Sequence, residues 1–416
     1  MKIAIIGSGI SGLGSAYLLG KEHDVTIYEK NDYIGGHSRT VDIKIDGKDI
    51  PVDTGFIVFN YRNYPNLSGL FNHLDVKVAK SDMSFGVSID NGWLEYGTRR
   101  PFDIFAQKRN LLRPKYWEML FDILKFNKNA GKYVNRDITL GKLLDELGTG
   151  DWFRNYYLLA MGAAIWSTPT KGMLDFPAKT FIRFFDNHGL LTVNDQPQWY
   201  TVKGGSKEYV KIITKKLTNS IRLSCGVEKI IRKKSHVEIL SIDGKKEKYD
   251  AVICACHSDQ ALKMLDEPTA DEQKILQSIK YQPNEMYLHS DTTFMQKRNG
   301  AWSSWVYLSE DKEDNSENIS LSYWMNNLQP LDTDKPVIVT LNPHRKPDES
   351  VIYDHYTFEH PVFDDDAIKA QENIEKIQGK DKIWYTGAWL QYGFHEDGLS
   401  SAVKVAKKLG AKIPWQ

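Results

Sequence analysis

Residues 2–6 form an unbroken apolar run that stops at Gly7, the pattern of a short strand buried on both faces. Leu13, Ala16, Tyr17 and Leu18 then recur at helical spacing through residues 10–20, and residues 25–28 make a second apolar run, so this stretch predicts a βαβ unit. From about residue 100 to 190 the pattern is mainly helical and rich in aromatics. Trp152, Phe153, Tyr156, Leu159, Ala160 and Ala163 share one face of a predicted helix, a stripe whose ordinary use is core packing rather than substrate contact. Strand-like runs return at 221–232, 236–242 and 250–256, the last leading through a turn into a helix over 258–265. More strands are predicted between 285 and 360, among them 301–308, 319–325 and 337–341. A final strand over 383–386 passes through Gly387 to a helix beginning near Gly398. The acidic segment 311–318 reads as a surface loop. No internal repeat is present, and the alternation of patterns predicts a chain that leaves one domain and returns to it.

At 416 residues the chain exceeds the usual size of one hydrophobic core, which agrees with two domains. A composition of 41% hydrophobic and 26% charged residues argues for a globular protein and against a disordered, collagen-like or solenoid chain. Lysine plus arginine and aspartate plus glutamate both number 54, so no overall field exists to gather nucleic acid. One stretch departs from that balance: Arg99, Arg100, Lys108, Arg109, Arg113 and Lys115 are interleaved with Phe102, Phe105, Leu111, Leu112, Tyr116 and Trp117. It reads either as a solvated helix face or as a segment lying on a bilayer surface. No window approaches the ~18 apolar residues of a membrane span, and the first residues run into glycines without the apolar core of a signal peptide. A cytoplasmic protein with at most peripheral contact to the inner membrane is therefore expected. Cys225, Cys254 and Cys256 are too few and too unevenly placed for a disulfide framework, which points the same way. Cys254 and Cys256 have no second pair, and His355 and His360 lack a third ligand, so no metal site is predicted.

The candidate chemistry begins at the first turn. Gly7, Gly9 and Gly12 form G-x-G-x-x-G, with Ser11 in its last gap. The first glycine permits the tight turn, the second lets amides approach a pyrophosphate, and the third lets helix and strand pack closely. Glu29 ends the second strand, where a carboxylate can accept both ribose hydroxyls and disfavours a 2'-phosphate. NAD and FAD both fit such a unit. Gly35, Gly36, His37, Ser38, Arg39 and Thr40 follow directly, and a second glycine turn with a basic residue can reach the pyrophosphate from the other side.

Glu29, Lys30, Gly35, Gly36, His37 and Thr40 together resemble the Glu-x5-Gly-Gly-Arg-x2-Thr element of the flavin amine oxidase and phytoene desaturase superfamily. His37 stands where that family has arginine, which leaves the phosphate partner open between Arg39 and a neutral hydrogen bond. Asp53, Thr54, Gly55 and Phe56 are similar to the family's Asp-x-Gly segment near the flavin ring, and Gly204-Gly205 to its mid-chain glycine pair. Gly387 and Ala388, followed by His395-Glu396-Asp397-Gly398-Leu399-Ser400, look like its last flavin contact. The resemblance implies FAD as cofactor, backbone contacts from Val227 to the adenine, and a last helix whose amides point at the flavin pyrimidine. It also implies an α/β fold with two-domain amine-oxidase architecture. A doubly wound Rossmann-type FAD-binding domain, a ββα sandwich, would be made of residues 1–60, 200–280 and 376–416. An α+β substrate domain would be made of 61–199, its helical part, and 281–375, its antiparallel sheet. Within the superfamily, residues 387–398 and 163–167 are most similar to bacterial NAD/FAD-binding proteins that accompany cyclopropane-type lipid methyltransferases, and to the flavoprotein region fused ahead of plant cyclopropane fatty acid synthases. That likeness implies a fatty-acyl or phospholipid substrate and a methyltransferase partner.

Flavin oxidation holds a substrate C–H bond over the cofactor with water excluded; the protein mainly orients, so a catalytic base is optional. Amine oxidases of the superfamily commonly carry a lysine in the strand after the mid-chain segment, yet residues 284–289 offer none and Lys280 lies early. His289, Trp305, Tyr323 and His395 are the candidate catalytic residues, each with core packing as its alternative reading, and Trp389 and Tyr392 could wall the ring. The expected activity is an FAD-dependent oxidase or desaturase taking a hydride from a fatty-acyl group. A flavin amine oxidase, and a flavin-bearing partner of a lipid methyltransferase without turnover, are the alternatives.

Overall fold

The computed structural model describes residues 1–166, 170–187, 189–192, 196–217, 220–312 and 320–416. Ser167, residue 319 at the start of a predicted strand, and residues 313–318 of the predicted acidic loop lie outside them.

Five short strands run parallel in the order Ile221–Arg222, Asp24–Tyr28, Lys2–Ile6, Ala251–Cys254 and Ile383–Tyr385. Side chains alternate across this sheet with period two. Ile3 and Ile5, with Ile27 and Ile253, share a core with the helices Ile10–Leu19 and His395–Lys408. Ala4 and Ile6, with Tyr28, Val252 and Cys254, share another with an antiparallel meander of Val227–Arg232, Val237–Ser241 and Lys246–Tyr249. Both faces are covered, which is why these strands read as continuous apolar runs. Each buried isoleucine contributes about 1.5–3 kcal/mol, so the sheet is held from both sides. The cysteines are free, and burial pushes the Cys256 thiol up to about 12, so the pair with Cys254 is core material.

Several predicted boundaries shift; the strand expected over 301–308 begins only at Trp305, after a turn over Asn299–Ala301. The run 221–232 is not one strand: Ile221–Arg222 joins the parallel sheet and Val227–Arg232 the meander. Between them Ser224 takes a positive φ and donates its amide to Asn31 O, turning the chain around the end of the second strand. The last helix begins at His395, three residues before the predicted start, because the Asp397 carboxylate accepts the amides of Phe394 (2.9 Å) and Tyr392 (3.2 Å) and folds the preceding loop into a turn.

The second half is a seven-stranded mixed sheet in the order Ile352–Val362, Lys280–His289, Ile338–Leu341, Ser320–Trp324, Trp305–Ser309, Phe85–Ile89 and Leu94–Gly97. The last two strands were not anticipated. They are buried along their whole length, so no polar face marks them, and they interrupt their apolar run with Gly86, Ser88 and Glu95. The helices Pro114–Asn129, Leu140–Leu147, Leu159–Trp166 and Ala178–Asn187 share the largest core with one face of this sheet. From the predicted stripe, Phe153, Leu159, Ala160 and Ala163 are buried in that core. Among the described residues no helix is long and apolar enough to cross a membrane.

Candidate active site

The parallel sheet delivers two glycine turns to one place. Gly7 ends the first strand at φ +106°, where a Cβ would lie 2.6 Å from Ala255 O. A Cβ on Gly12 would come within 1.9 Å of Gly7 O, so the first helix can begin only where that residue has no side chain. Gly9, between them, has nothing within 4 Å of its Cβ position and opens onto space. The helix Ile10–Leu19 has neither a side-chain cap nor an acidic residue in its first turn, so its leading amides and positive dipole end face that space uncompensated. Glu29 is buried and fixed there by the Ser8 amide (2.9 Å), the Ser8 hydroxyl (2.6 Å) and the Asn31 amide (2.9 Å). Its Oε1, with one of those three donors, keeps a lone pair for a ligand hydroxyl.

The second turn lies on the first. Gly36 adopts φ +56°, in the left-handed region, and its Cβ position is 3.1 Å from Gly9 Cα, while Gly35 donates its amide to Ser8 Oγ at 3.2 Å. His37 packs between Phe358 and His360, ring centroids 4.9 and 5.5 Å away. Burial lowers it to about 4, and lowers His257 and His360 to about 3 each, so neutral imidazoles crowd this side of the cradle. Arg39 is committed elsewhere. It grips Asp354 through both terminal nitrogens (2.6 and 3.3 Å), donates to Thr54 Oγ1 and lies over the Tyr356 ring. Of the two partners left open for a phosphate, the geometry therefore sets Arg39 aside: its charge already ties the glycine turn to the large sheet.

The C-terminal segment closes the cradle. A Cβ on Gly398 would touch Ile10 and Ser11 at 2.9 Å, so the last helix lies directly on the start of the first, and Gly387 donates its amide to Ser401 Oγ. Leu399 is buried against Gly14, leaving only its backbone to serve a ligand. The Ser400 side chain is engaged with Glu396 and Asn66 (both 3.0 Å), which leaves its backbone to serve a ligand. Val227 follows Gly226, which packs on Lys30 at the end of the second strand.

His395 is buried and held on several sides. It stacks on Phe56 at 3.8 Å, with Nε2 2.7 Å from the Tyr209 hydroxyl and 3.2 Å from Ser38 Oγ, and burial lowers it to about 3. One imidazole thus binds together the second glycine turn, the Asp-x-Gly segment and the helix Lys207–Thr214. Asp53 does similar work without exposure. It accepts from Thr40 (2.6 Å), the Ser206 amide (2.8 Å) and hydroxyl (2.7 Å), and Gln329 (2.9 Å). Tyr209, Ser8 and Gln329 were missed from the sequence. Ser8 stands inside the glycine fingerprint and could have been named, whereas nothing local marks Gln329.

The flavin containing amine oxidoreductase family matches residues 10–351, most of the chain. The chain belongs to that family. Membership implies a flavin cofactor, FAD, and oxidoreductase chemistry, and the open space at Gly9, the unpaired helix amides and the fixed Glu29 fit such a dinucleotide. The fold of this flavin amine oxidoreductase is similar to that of a CLA-producing fatty acid isomerase from P. acnes, at 15% identity, TM-score 0.69 and 98% coverage of both chains. It is similar to putrescine oxidase bound to putrescine (14%, TM-score 0.69, 98% of this chain and 99% of that one) and to cyclohexylamine oxidase from Brevibacterium oxydans (15%, 0.69, 98% and 99%). An uncharacterized protein of Methanocaldococcus jannaschii is 27% identical over 191 residues, a stretch spanning 44% of each chain. The two-domain amine-oxidase-like fold, with its parallel Rossmann-like sheet and mixed substrate sheet, is thereby shown.

The remaining candidates of this family member sort by sheet face. Residues in register across the large sheet point to the same side, and Asp354, Leu288, Val339, Tyr323, Trp305 and Phe85 form one such row. Because Asp354 holds Arg39, this is the face turned toward the glycine turns. Trp305 and Tyr323 meet edge to face at 5.0 Å within it, and the Trp305 indole N–H finds no acceptor among the described residues. His289, one residue after Leu288, points to the opposite face. Its Nε2 lies 2.8 Å from Thr340 Oγ1 and its Nδ1 accepts the Asp291 amide, so it is a satisfied core histidine and not a catalytic one. Trp389 is buried in the meander-side core with its N–H on Cys256 O, whereas Tyr392 sits with Phe184 beside the large sheet. Lys280 pairs with Asp364 at the surface. Among the described residues no three histidine, cysteine or carboxylate groups cluster as a metal site.

Proposed function

We propose that this chain is an FAD-dependent oxidoreductase that takes a hydride from an apolar, fatty-acyl-type substrate, as an oxidase or desaturase. One observation carries the substrate class: the row Leu288, Val339, Tyr323, Trp305 and Phe85 bears no charge, and the only carboxylate in line with it, Asp354, is neutralised by Arg39. An ammonium group would find no counter-charge there, and desolvating it would cost several kcal/mol. FAD, when bound, supplies the hydride-accepting ring. The chain's own residues do the rest. Gly7, Gly9 and Gly12 with the amides after them would hold the pyrophosphate, Glu29 the ribose, Val227 the adenine, and Gly387, Ala388 and the first turn of the last helix, through Gly398, the flavin. His395, through Ser38 and Tyr209, keeps the second glycine turn in place. Trp305 and Tyr323 orient the substrate, and Phe184, Tyr392 and Phe394 keep water out.

A second reading, an amine oxidase, is favoured by the family and by the fold shared with putrescine and cyclohexylamine oxidases. The strand Lys280–His289 holds no lysine besides the surface-paired Lys280, which speaks against it. A flavoprotein that accompanies a lipid methyltransferase without turnover also agrees with the resemblance of residues 387–398, and a reducing, cytoplasmic setting agrees with the free cysteines. The deciding experiment is anaerobic titration of the yellow protein with fatty acids, phospholipids and amines. Bleaching by a lipid supports the first reading. Bleaching by an amine alone replaces it with the second, and no bleaching together with co-purification of a methyltransferase favours the third.

A further inference from the structure

Ten large apolar side chains are exposed among the described residues, and six of them lie between residues 102 and 124: Phe102, Leu111, Leu112, Trp117, Phe121 and Leu124. Phe102 and Leu112 are 83% and 86% exposed, in two short turns just ahead of the helix Pro114–Asn129. On that helix Trp117, Phe121 and Leu124 follow at four and three residues and share a stripe. The opposite side, with Tyr116, Met119 and Phe126, is buried in the largest core. The helix is therefore apolar on two faces, and only one of them is used inside the lobe. Isolated exposed apolar residues need no explanation, but a contiguous set does.

The charges around this stripe are mostly basic, Glu118 being the one exposed acid on the helix. Between residues 99 and 132 nine lysines and arginines stand against three acids, in a chain whose totals are equal. Two of those acids are used internally: Asp122 accepts the Gly150 amide, and Asp103 lies beside Arg99 and Arg100. Lys108, Lys115 and Lys128 are left exposed. We propose that this face docks on an anionic lipid bilayer, its apolar side chains entering the headgroup boundary while the surrounding cations meet lipid phosphates. A protein partner fits less well, because lysine is depleted at protein interfaces, whereas aromatic and aliphatic residues ringed by lysine and arginine match an interfacial surface. The docking surface is separate from the cradle and does not depend on which substrate is oxidised.

The test is co-sedimentation of the intact flavoprotein with vesicles of phosphatidylcholine alone and of phosphatidylcholine with phosphatidylglycerol, at low and high salt. Phe121→Glu/Leu124→Glu and Lys108→Glu/Lys115→Glu variants are compared with the wild type, and flavin absorbance reports their folding. Since all four side chains are exposed, both variants should stay folded and yellow. The expected result is binding to the anionic vesicles only, reduced at least tenfold by either double substitution and by salt. Absence of binding to anionic vesicles, or binding indifferent to both variants, overturns the proposal. So does sedimentation equilibrium showing a dimer that the Phe121/Leu124 variant dissociates while the wild type ignores vesicles, which would give the face to a second copy of the chain.

Discussion

An added methyl group at Gly12 would meet a carbonyl oxygen at 1.9 Å, whereas Tyr323 meets Trp305 edge-on at 5.0 Å, one side chain against another. The two residues stand for the two halves of the molecule. At Gly7, Gly12 and Gly55 the limiting neighbours are backbone atoms, which cannot move without taking the local chain with them. Around Trp305 and Tyr323 they are side chains, which can be exchanged if volume is kept. The nucleotide half is thus built to hold one ligand, and the other half can be re-lined for many.

The contrast can be broken most forcefully at Gly12. Gly12→Ala should lose flavin altogether and about 3 kcal/mol of stability, read by the flavin-to-protein absorbance ratio and by urea unfolding; a stable yellow variant would show that the turn can yield. Asp53→Ala should cost nearly as much, about 2–3 kcal/mol, because it strands the Ser206 amide and the Gln329 amide group in the interior. Asp53→Asn should recover part of that loss.

Acidification comes next. Burial holds His37 near 4 and His257 and His360 near 3, while an unfolded histidine takes its proton at about 6.5. Between those limits the unfolded chain binds more protons, so stability of the flavin-free protein should fall as pH drops from about 6.5 toward 4. Glu359, 3.6 Å from His257, and Lys30 are the other charged groups nearby. A bound pyrophosphate favours the protonated rings, so the flavin-loaded protein should lose less melting temperature than the flavin-free protein between pH 7 and 5. Parallel losses would mean that the three imidazoles do not face the phosphates.

On the large sheet, Trp305→Phe and Tyr323→Phe should lower kcat/KM about tenfold, about 1.4 kcal/mol, with the flavin spectrum unchanged. Loss of flavin from either variant would blur the division between the halves. The smallest effect belongs to Ser400→Ala, whose hydroxyl faces Asn66 and Glu396: stability should fall by less than about 1 kcal/mol and flavin affinity should stay put in a fluorescence titration.

The glycine turns were readable because they answer to local rules. Each needs a residue without a side chain at a fixed distance from a strand end, and the sequence writes that as Gly7, Gly9, Gly12, Gly35 and Gly36. Which of the two readings of His289 holds is a matter of parity. A strand's faces alternate residue by residue, and choosing the inward one requires knowing that Leu288 shares a row with Asp354 and Tyr323, pairings made over long stretches of chain. Arg39 was ambiguous for a related reason, since its partner Asp354 is more than three hundred residues away. The strands Phe85–Ile89 and Leu94–Gly97 escaped notice because complete burial leaves no alternation to detect.

The parallel sheet has a further consequence for how the protein is made. Its fifth strand is Ile383–Tyr385, so ribosomal synthesis must pass residue 385 before Ala251–Cys254 gains its outer neighbour. Until then a nascent chain carries a bare, wholly apolar strand edge, the kind of template on which incomplete polypeptides aggregate. Prematurely terminated products lacking that strand should therefore be strong clients for chaperones and proteases.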